Sequence, residues 1–183
     1  MSPTLIVISV LALIGFYIWF LYNGLITARL RIKEAWSQIE VQLKRRSSLI
    51  PNLIETVKGY AKHEKEVFQN VTKARTQMLS AKDPKEAAKA DNMLTGALKT
   101  LFAIAENYPT LRASENFKAL QEELSDTETK IAASRQFYNA NVIDYNTKIK
   151  IFPNVLLASL LNFTPEEFFE AEEEAKKDIK VKF

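Results

Sequence analysis

The sequence predicts an all-α protein: an N-terminal transmembrane helix followed by an antiparallel bundle of about four long helices. Three observations carry this. Residues Leu5 to Tyr22 read LIVISVLALIGFYIWFLY without a charge. Beyond them glycine occurs only at Gly24, Gly59 and Gly96, while Pro51, Pro84, Pro109, Pro153 and Pro165 punctuate long apolar periodicities of three and four. Finally, no run of alternating β-branched residues is long enough for a sheet, the last five positions excepted.

Eighteen uncharged residues at about 1.5 Å each span roughly 27 Å, close to the hydrocarbon thickness of a bilayer. A cleaved signal would need a basic start, a shorter apolar run and small residues at a cut site, and MSPT followed by this run supplies none. The anchor, residues 1–22, is represented by Leu5, Val10, Ile14, Trp19 and Tyr22, with the aromatic rings crowding its C-terminal end where headgroups lie. Arg29, Arg31 and Lys33 follow the span and no Lys or Arg precedes it, so the expected orientation has the N-terminus outside and the rest in the cytoplasm, at the plasma membrane. The same three residues are candidate contacts for anionic lipid headgroups. Lys44, Arg45 and Arg46 extend the basic excess, and for them a solvated helix face is an equal alternative.

The next region, residues 23–163, is expected to form the bundle. Positions 43, 46, 50, 53, 57, 60, 64, 67, 71, 74 and 78 form one stripe, apolar except at Arg46 and Glu64. The phase survives Pro51, which predicts one helix from near Tyr22 to Ser80, kinked where the ring removes a backbone hydrogen bond. A break with Ser47 or Ser48 as N-cap is the competing reading. Asp83-Pro84 with Glu86 is a helix-start signature, and Leu94, Leu98, Leu101, Ala105 and Tyr108 make that helix's stripe. In the third helix Phe117, Leu124, Ile131, Tyr138, Tyr145 and Phe152 recur every seven residues, with Leu120, Val142 and Ile149 widening the seam. Thr164-Pro165-Glu166-Glu167 resembles a capping box opening a final acidic helix in the segment 164–183.

Little reactive chemistry is legible. The chain has one histidine and no cysteine. His63-Glu64 begins like a zinc-protease helix, but Val67 stands where the second histidine belongs, so no metal and no cofactor is expected. Scattered glycines exclude a phosphate loop. A net charge of +3 spread along the chain, despite a pI near 9.0, argues against nucleic acid as a partner, and no small-molecule substrate is implied. An enzyme built on Glu166, Glu167 and Glu170 ranks last, because such a dense acidic run reads as solvated. The expectation is a non-enzyme.

Polar residues on packed faces are a different matter. Tyr138-Asn139 and Tyr145-Asn146 repeat at seven, and Asn139 and Asn146 either bond inside the bundle and fix its register or lie on an exposed flank. Asn52 and Arg135 are similar interhelical candidates near the Pro51 kink. At the C-terminus Ile179, Val181 and Phe183 alternate with lysines, the shape of a strand that a peptide-binding partner adds to its sheet. Folding of Phe183 back onto the bundle, or a tail without fixed structure, is the alternative.

The stretches YNGL, AWSQIEVQLKRRSSLIPNLIETVKGYAKHE, RQFYNANVIDYN and FTPEEFFEAEEE, with a terminal Val-Lys-Phe, resemble the LemA family in order and spacing from about Tyr22 to Phe183. The resemblance implies a small single-pass membrane protein with a bundle of roughly four helices, no catalytic residues to carry over, and a scaffold or adaptor role. It further implies a membrane protein such as a metalloprotease as a partner, while the basic juxtamembrane residues point to membrane lipids and the anchor with its uninterrupted heptads to other copies of the chain in a homo-oligomer. One departure is Ser48, where the family commonly has aspartate, which weakens any acid-base role at that position.

Overall fold

The structure, a computed structural model, describes residues 2–169, and all of its regular elements are helices. They are α1 (Pro3–Lys58), α2 (Lys65–Ser80), α3 (Pro84–Ala105), α4 (Pro109–Ala113), α5 (Glu115–Lys148) and α6 (Asn154–Leu160). The described residues divide into two compact units: residues 2–36 with 137–167, and residues 37–136 with 168–169. The expected all-α architecture is what the chain adopts.

In the first unit, α1 begins as an apolar segment whose large side chains, from Leu5 to Phe20, are all exposed. Asn23 marks its polar end, donating from Nδ2 to the Trp19 carbonyl at 2.8 Å. Leu25, Ala28, Ile32 and Ala35 then recur at helical spacing and are buried, as are Tyr138, Val142 and Tyr145 of α5 and Ile149 just beyond it. The two helices run antiparallel. Trp36 meets the Tyr138 ring edge-on at 5.9 Å, and Tyr22 meets Phe163 at 6.2 Å. After a cis Phe152-Pro153 bond comes α6, closed by a Schellman motif: Asn162 takes the left-handed conformation (φ 55°), and the Phe163 N–H donates to Ala158 O at 2.9 Å.

The second unit packs the C-terminal part of α1, α2, α3 and the N-terminal part of α5. Here α1 passes through Pro51 without interruption, so the break at Ser47 or Ser48 does not occur. Continuity to Ser80 does not occur either. The helix ends at Lys58, and residues 59–64 form a turn before α2. Gly59 weakens the helix there, and Ala61, 1% exposed, is drawn into the core as the chain reverses. The stripe misled because six turn residues happen to restore its phase. It fails at the turn, where Tyr60 is 46% exposed and Glu64 is half-buried, and in the first turn of α2, where Phe68 is buried and Val67 only half-buried.

Pro51 has a specific structural consequence. Lacking an N–H, it leaves the carbonyl of Ser47, four residues earlier, without its helical donor. Arg75 of α2 takes that place, its Nε donating to Ser47 O at 2.9 Å. The proline therefore creates the acceptor that ties α2 to α1. Arg75→Leu is expected to cost about 1.5–3 kcal/mol, as for a hydrogen bond to a charged donor. In a Pro51→Ala background, where a backbone N–H restored at position 51 satisfies Ser47 O, the same change should cost much less. Denaturation of the four variants gives the coupling energy, and additive losses would refute the link.

The start of α3 is as expected: Asp83 Oδ1 accepts from Glu86 N–H at 2.7 Å, and Glu86 Oε2 accepts from Lys82 N–H at 3.0 Å. Of the heptad residues, Phe117, Leu124, Ile131, Tyr138 and Tyr145 are buried, whereas Phe152 is 77% exposed. The repeat outruns its helix, which stops at Lys148. The expected helix start at Thr164 is a further correction. Residues 163–169 are non-helical, and their backbone groups are engaged by side chains of α5.

Candidate functional site

Two polar constellations stand out, one in each unit. In the first, α5 presents Tyr138, Tyr145 and Asn146 on one face, because positions 138 and 145 are two turns apart and Asn146 flanks the second tyrosine. Residues 163–167 cross this face as a strap. Asn146 Nδ2 donates to Glu166 O, and Glu166 N–H donates to Asn146 Oδ1, both at 2.9 Å. The side-chain amide thus pairs with a peptide unit as a neighbouring strand would. Tyr145 Oη donates to Thr164 O at 3.0 Å, and Tyr138 Oη donates to Glu167 O at 2.9 Å. From α1, Arg29 Nε donates to Glu166 Oε1 at 2.9 Å.

Burial, reinforced by the Glu166 and Glu167 carboxylates, pushes the Tyr138 phenol up to about 12. Burial also raises Tyr145, against the opposing pull of Arg29. Because the folded value is raised, the contribution of Tyr138 is intact below the ordinary tyrosine value of about 10 and is lost as the pH climbs through about 12. In an ultraviolet titration of tyrosinate, one late-titrating phenol should therefore be absent from Tyr138→Phe. A variant whose titration matched the parent would contradict the assignment.

The second constellation is a buried ion cluster. Arg46 on α1 and Asp91 on α3 are 2% and 3% exposed, and Arg46 Nη1 donates to Asp91 Oδ1 at 2.7 Å. Arg135 of α5 approaches Asp91 Oδ2 at 3.7 Å, its guanidinium 4.6 Å from the centre of the Phe169 ring. Glu128 lies 3.7 Å from Arg46. The short contact with Arg46 alone would hold Asp91 low. Burial outweighs it and raises the carboxyl above the ordinary aspartate value. Nearby, on the surface, Arg45 bridges Glu123 at 2.6 Å and Asp126 at 3.2 Å.

The residues singled out from the sequence fall in different places. Leu5, Val10, Ile14, Trp19 and Tyr22 are exposed along α1. Arg29 is engaged by Glu166, while Arg31 and Lys33 are exposed. Asn146 grips the strap, and Asn139, also on α5, is half-buried. Arg135 reaches α3, and Asn52 is exposed beside a shallow groove shared with Thr56, Asn116 and Leu120. His63 lies on the surface of the turn between α1 and α2. Ile179, Val181 and Phe183 lie outside the described residues. Sequence reasoning missed Asp91 altogether and read Arg46 as part of a basic surface run. The available signal was a charge on each of two apolar stripes: Arg46 between Leu43 and Ile50, and Asp91 between Ala87 and Leu94.

Among the described residues, no group of histidine, cysteine and carboxylate side chains has the geometry to hold a metal ion. One helix, α1, is long and apolar enough to cross a membrane, and none of its apolar window is buried. These features define a helical-bundle protein carried on an apolar helix, with its conspicuous polar side chains bonded to one another and to backbone.

The chain belongs to the LemA family, whose family model matches residues 35–183. It is 28% identical over 193 residues to magnetosome protein MamQ of Magnetospirillum gryphiswaldense, covering 90% of this chain and 71% of the relative. Magnetosome protein MamQ 2 of Paramagnetospirillum magneticum is 28% identical over 194 residues, covering 91% of this chain and 71% of that protein. Protein LemA of Metamycoplasma hominis is 27% identical over 161 residues, with 86% and 72% covered. None of these relatives' names states an enzymatic activity.

Proposed function

We propose that this protein is a non-enzymatic, membrane-anchored helical scaffold or adaptor that self-associates or binds another membrane protein. The observation that carries the reading is the unburied apolar segment of α1, which continues without a break into the helix that buries Leu25, Ala28 and Ile32. An apolar surface of that length is stable only in lipid or against other protein. The charge asymmetry of Arg29, Arg31 and Lys33 orients it with the N-terminus outside and the bundle in the cytoplasm at the plasma membrane. The hydroxyls of Tyr138 and Tyr145, the Asn146 amide and the Arg46–Asp91 pair all make hydrogen bonds within their own units, which suits a role in binding and presentation more than in chemistry.

The test is to extract the full-length protein from native membranes in nanodiscs, measure its mass by light scattering and identify co-purifying chains. A homo-oligomer or a stoichiometric membrane-protein companion is expected; a strictly monomeric protein without companions would refute the proposal. A second reading, lipid organisation through the basic juxtamembrane helix, draws on the exposure of Arg31 and Lys33. It requires anionic vesicles to bind the protein more strongly than neutral ones.

A further inference from the structure

The first unit carries an apolar surface that the anchor does not account for. Around α6, Phe152, Leu156 and Leu160 are 77%, 66% and 76% exposed, and Ile151, Val155 and Leu161 are 49%, 37% and 45% exposed. Leu156 and Leu160 lie four residues apart on α6 and so share a face, and Phe152 is exposed at the corner just before it. Specific geometry holds this element in place. The Schellman motif at Asn162 reverses the backbone and delivers Phe163 to the ring of Tyr22.

Tyr22 is the last residue of the apolar run before Asn23, so its contact with Phe163 fixes the level of α6 relative to the apolar helix. Residue counting agrees. Trp36 pairs with Tyr138, and in antiparallel helices of equal rise the end of α5, Lys148, lies level with Ile26, about one turn from Tyr22. The exposed stripe thus lies at the end of the apolar segment, where aromatic rings favour the headgroup region. Lys150 flanks it with a positive charge suited to anionic headgroups.

We propose that α6 and the preceding corner, residues 151–161, form a second membrane contact: a short interfacial helix that inserts Phe152, Leu156 and Leu160 into the leaflet from which the anchor emerges. The proposal rests on the reading of Leu5 to Tyr22 as a span. It adds a two-point attachment that fixes rotation of the first unit about the anchor, which a single helix leaves free.

The absence of cysteine makes the test direct, because each introduced thiol is unique. Full-length Leu156→Cys, Leu160→Cys, Ile18→Cys and Ala140→Cys are labelled with a small fluorophore in phosphatidylcholine/phosphatidylglycerol nanodiscs. Quenching by a lipid nitroxide shallow in the acyl region is compared with quenching by aqueous iodide. Labels at 156 and 160 should lose fluorescence to the lipid quencher as the label at 18 does and resist iodide, while the label at 140 should do the reverse. If 156 and 160 are open to iodide, α6 lies in water and the proposal is overturned. If they resist both quenchers, protein covers the stripe, whether a second copy or another part of this chain, and the proposal is equally overturned. Failure of the label at 18 to respond to lipid would remove the span reading itself, and the inference with it.

Discussion

Replacement of Asp91 by alanine is expected to destabilise the second unit by about 3–5 kcal/mol, because it strands a buried guanidinium that cannot discharge its proton. Arg46 is 2% exposed, and its remaining acidic neighbour, Glu128, is 3.7 Å away. In thermal unfolding followed by circular dichroism in mild detergent, such a loss should lower the midpoint by about 10 °C. Arg46→Met with Asp91→Leu removes both charges and fills the space, and should recover most of the loss.

Burial raises the Asp91 carboxyl despite Arg46 and Arg135, so its contribution is full below the unfolded value of about 3.9 and declines as the pH rises through the folded value. Asp91→Asn keeps an acceptor for Arg46 but not the charge, and should cost less than alanine. The stability difference between parent and Asp91→Asn should fall, not rise, with increasing pH across the carboxylate range. A difference that rises with pH would mean that the ion pair outweighs desolvation.

The second large effect is expected at Asn146. Alanine there leaves both the N–H and the carbonyl of Glu166 without partners, and should cost about 1–3 kcal/mol. Asp is expected to be worse than Ala, because it keeps the acceptor for Glu166 N–H but turns a carboxylate oxygen toward the Glu166 carbonyl. The loss should concentrate in the strap, so amide-exchange protection of Glu166 should drop by roughly tenfold or more while that of α5 persists. Unchanged protection in Asn146→Ala would show that the strap is held by the tyrosines and Arg29 alone.

How far the fold was legible depended on whether the signal was local. The Asp83 cap and the stripes of α3 and α5 could be read because the partners in each case lie within a turn or two of one another. The turn at residues 59–64 was hidden because a periodic stripe reports which face is buried, not whether the chain remains straight. The Thr164 signature failed for the opposite reason: a capping box is a marginal local preference, and Tyr145, Asn146 and Arg29 override it. Arg46 announced itself as a charge on an apolar stripe, but its partner lies 45 residues away.

By itself, the sequence determined an apolar N-terminal helix, the family, a chain of long amphipathic helices and the buried face of each, because hydropathy and helical period are properties of neighbouring residues. Only the tertiary structure decided that Pro51 frees a carbonyl for Arg75, that Asp91 meets Arg46, that Asn146 clasps a non-helical strap, and that Phe163, just after α6, meets Tyr22 while Leu156 and Leu160 stay exposed. Each of those depends on which distant groups arrive within hydrogen-bonding or van der Waals reach once the helices have packed, and a one-dimensional pattern carries no measure of that distance.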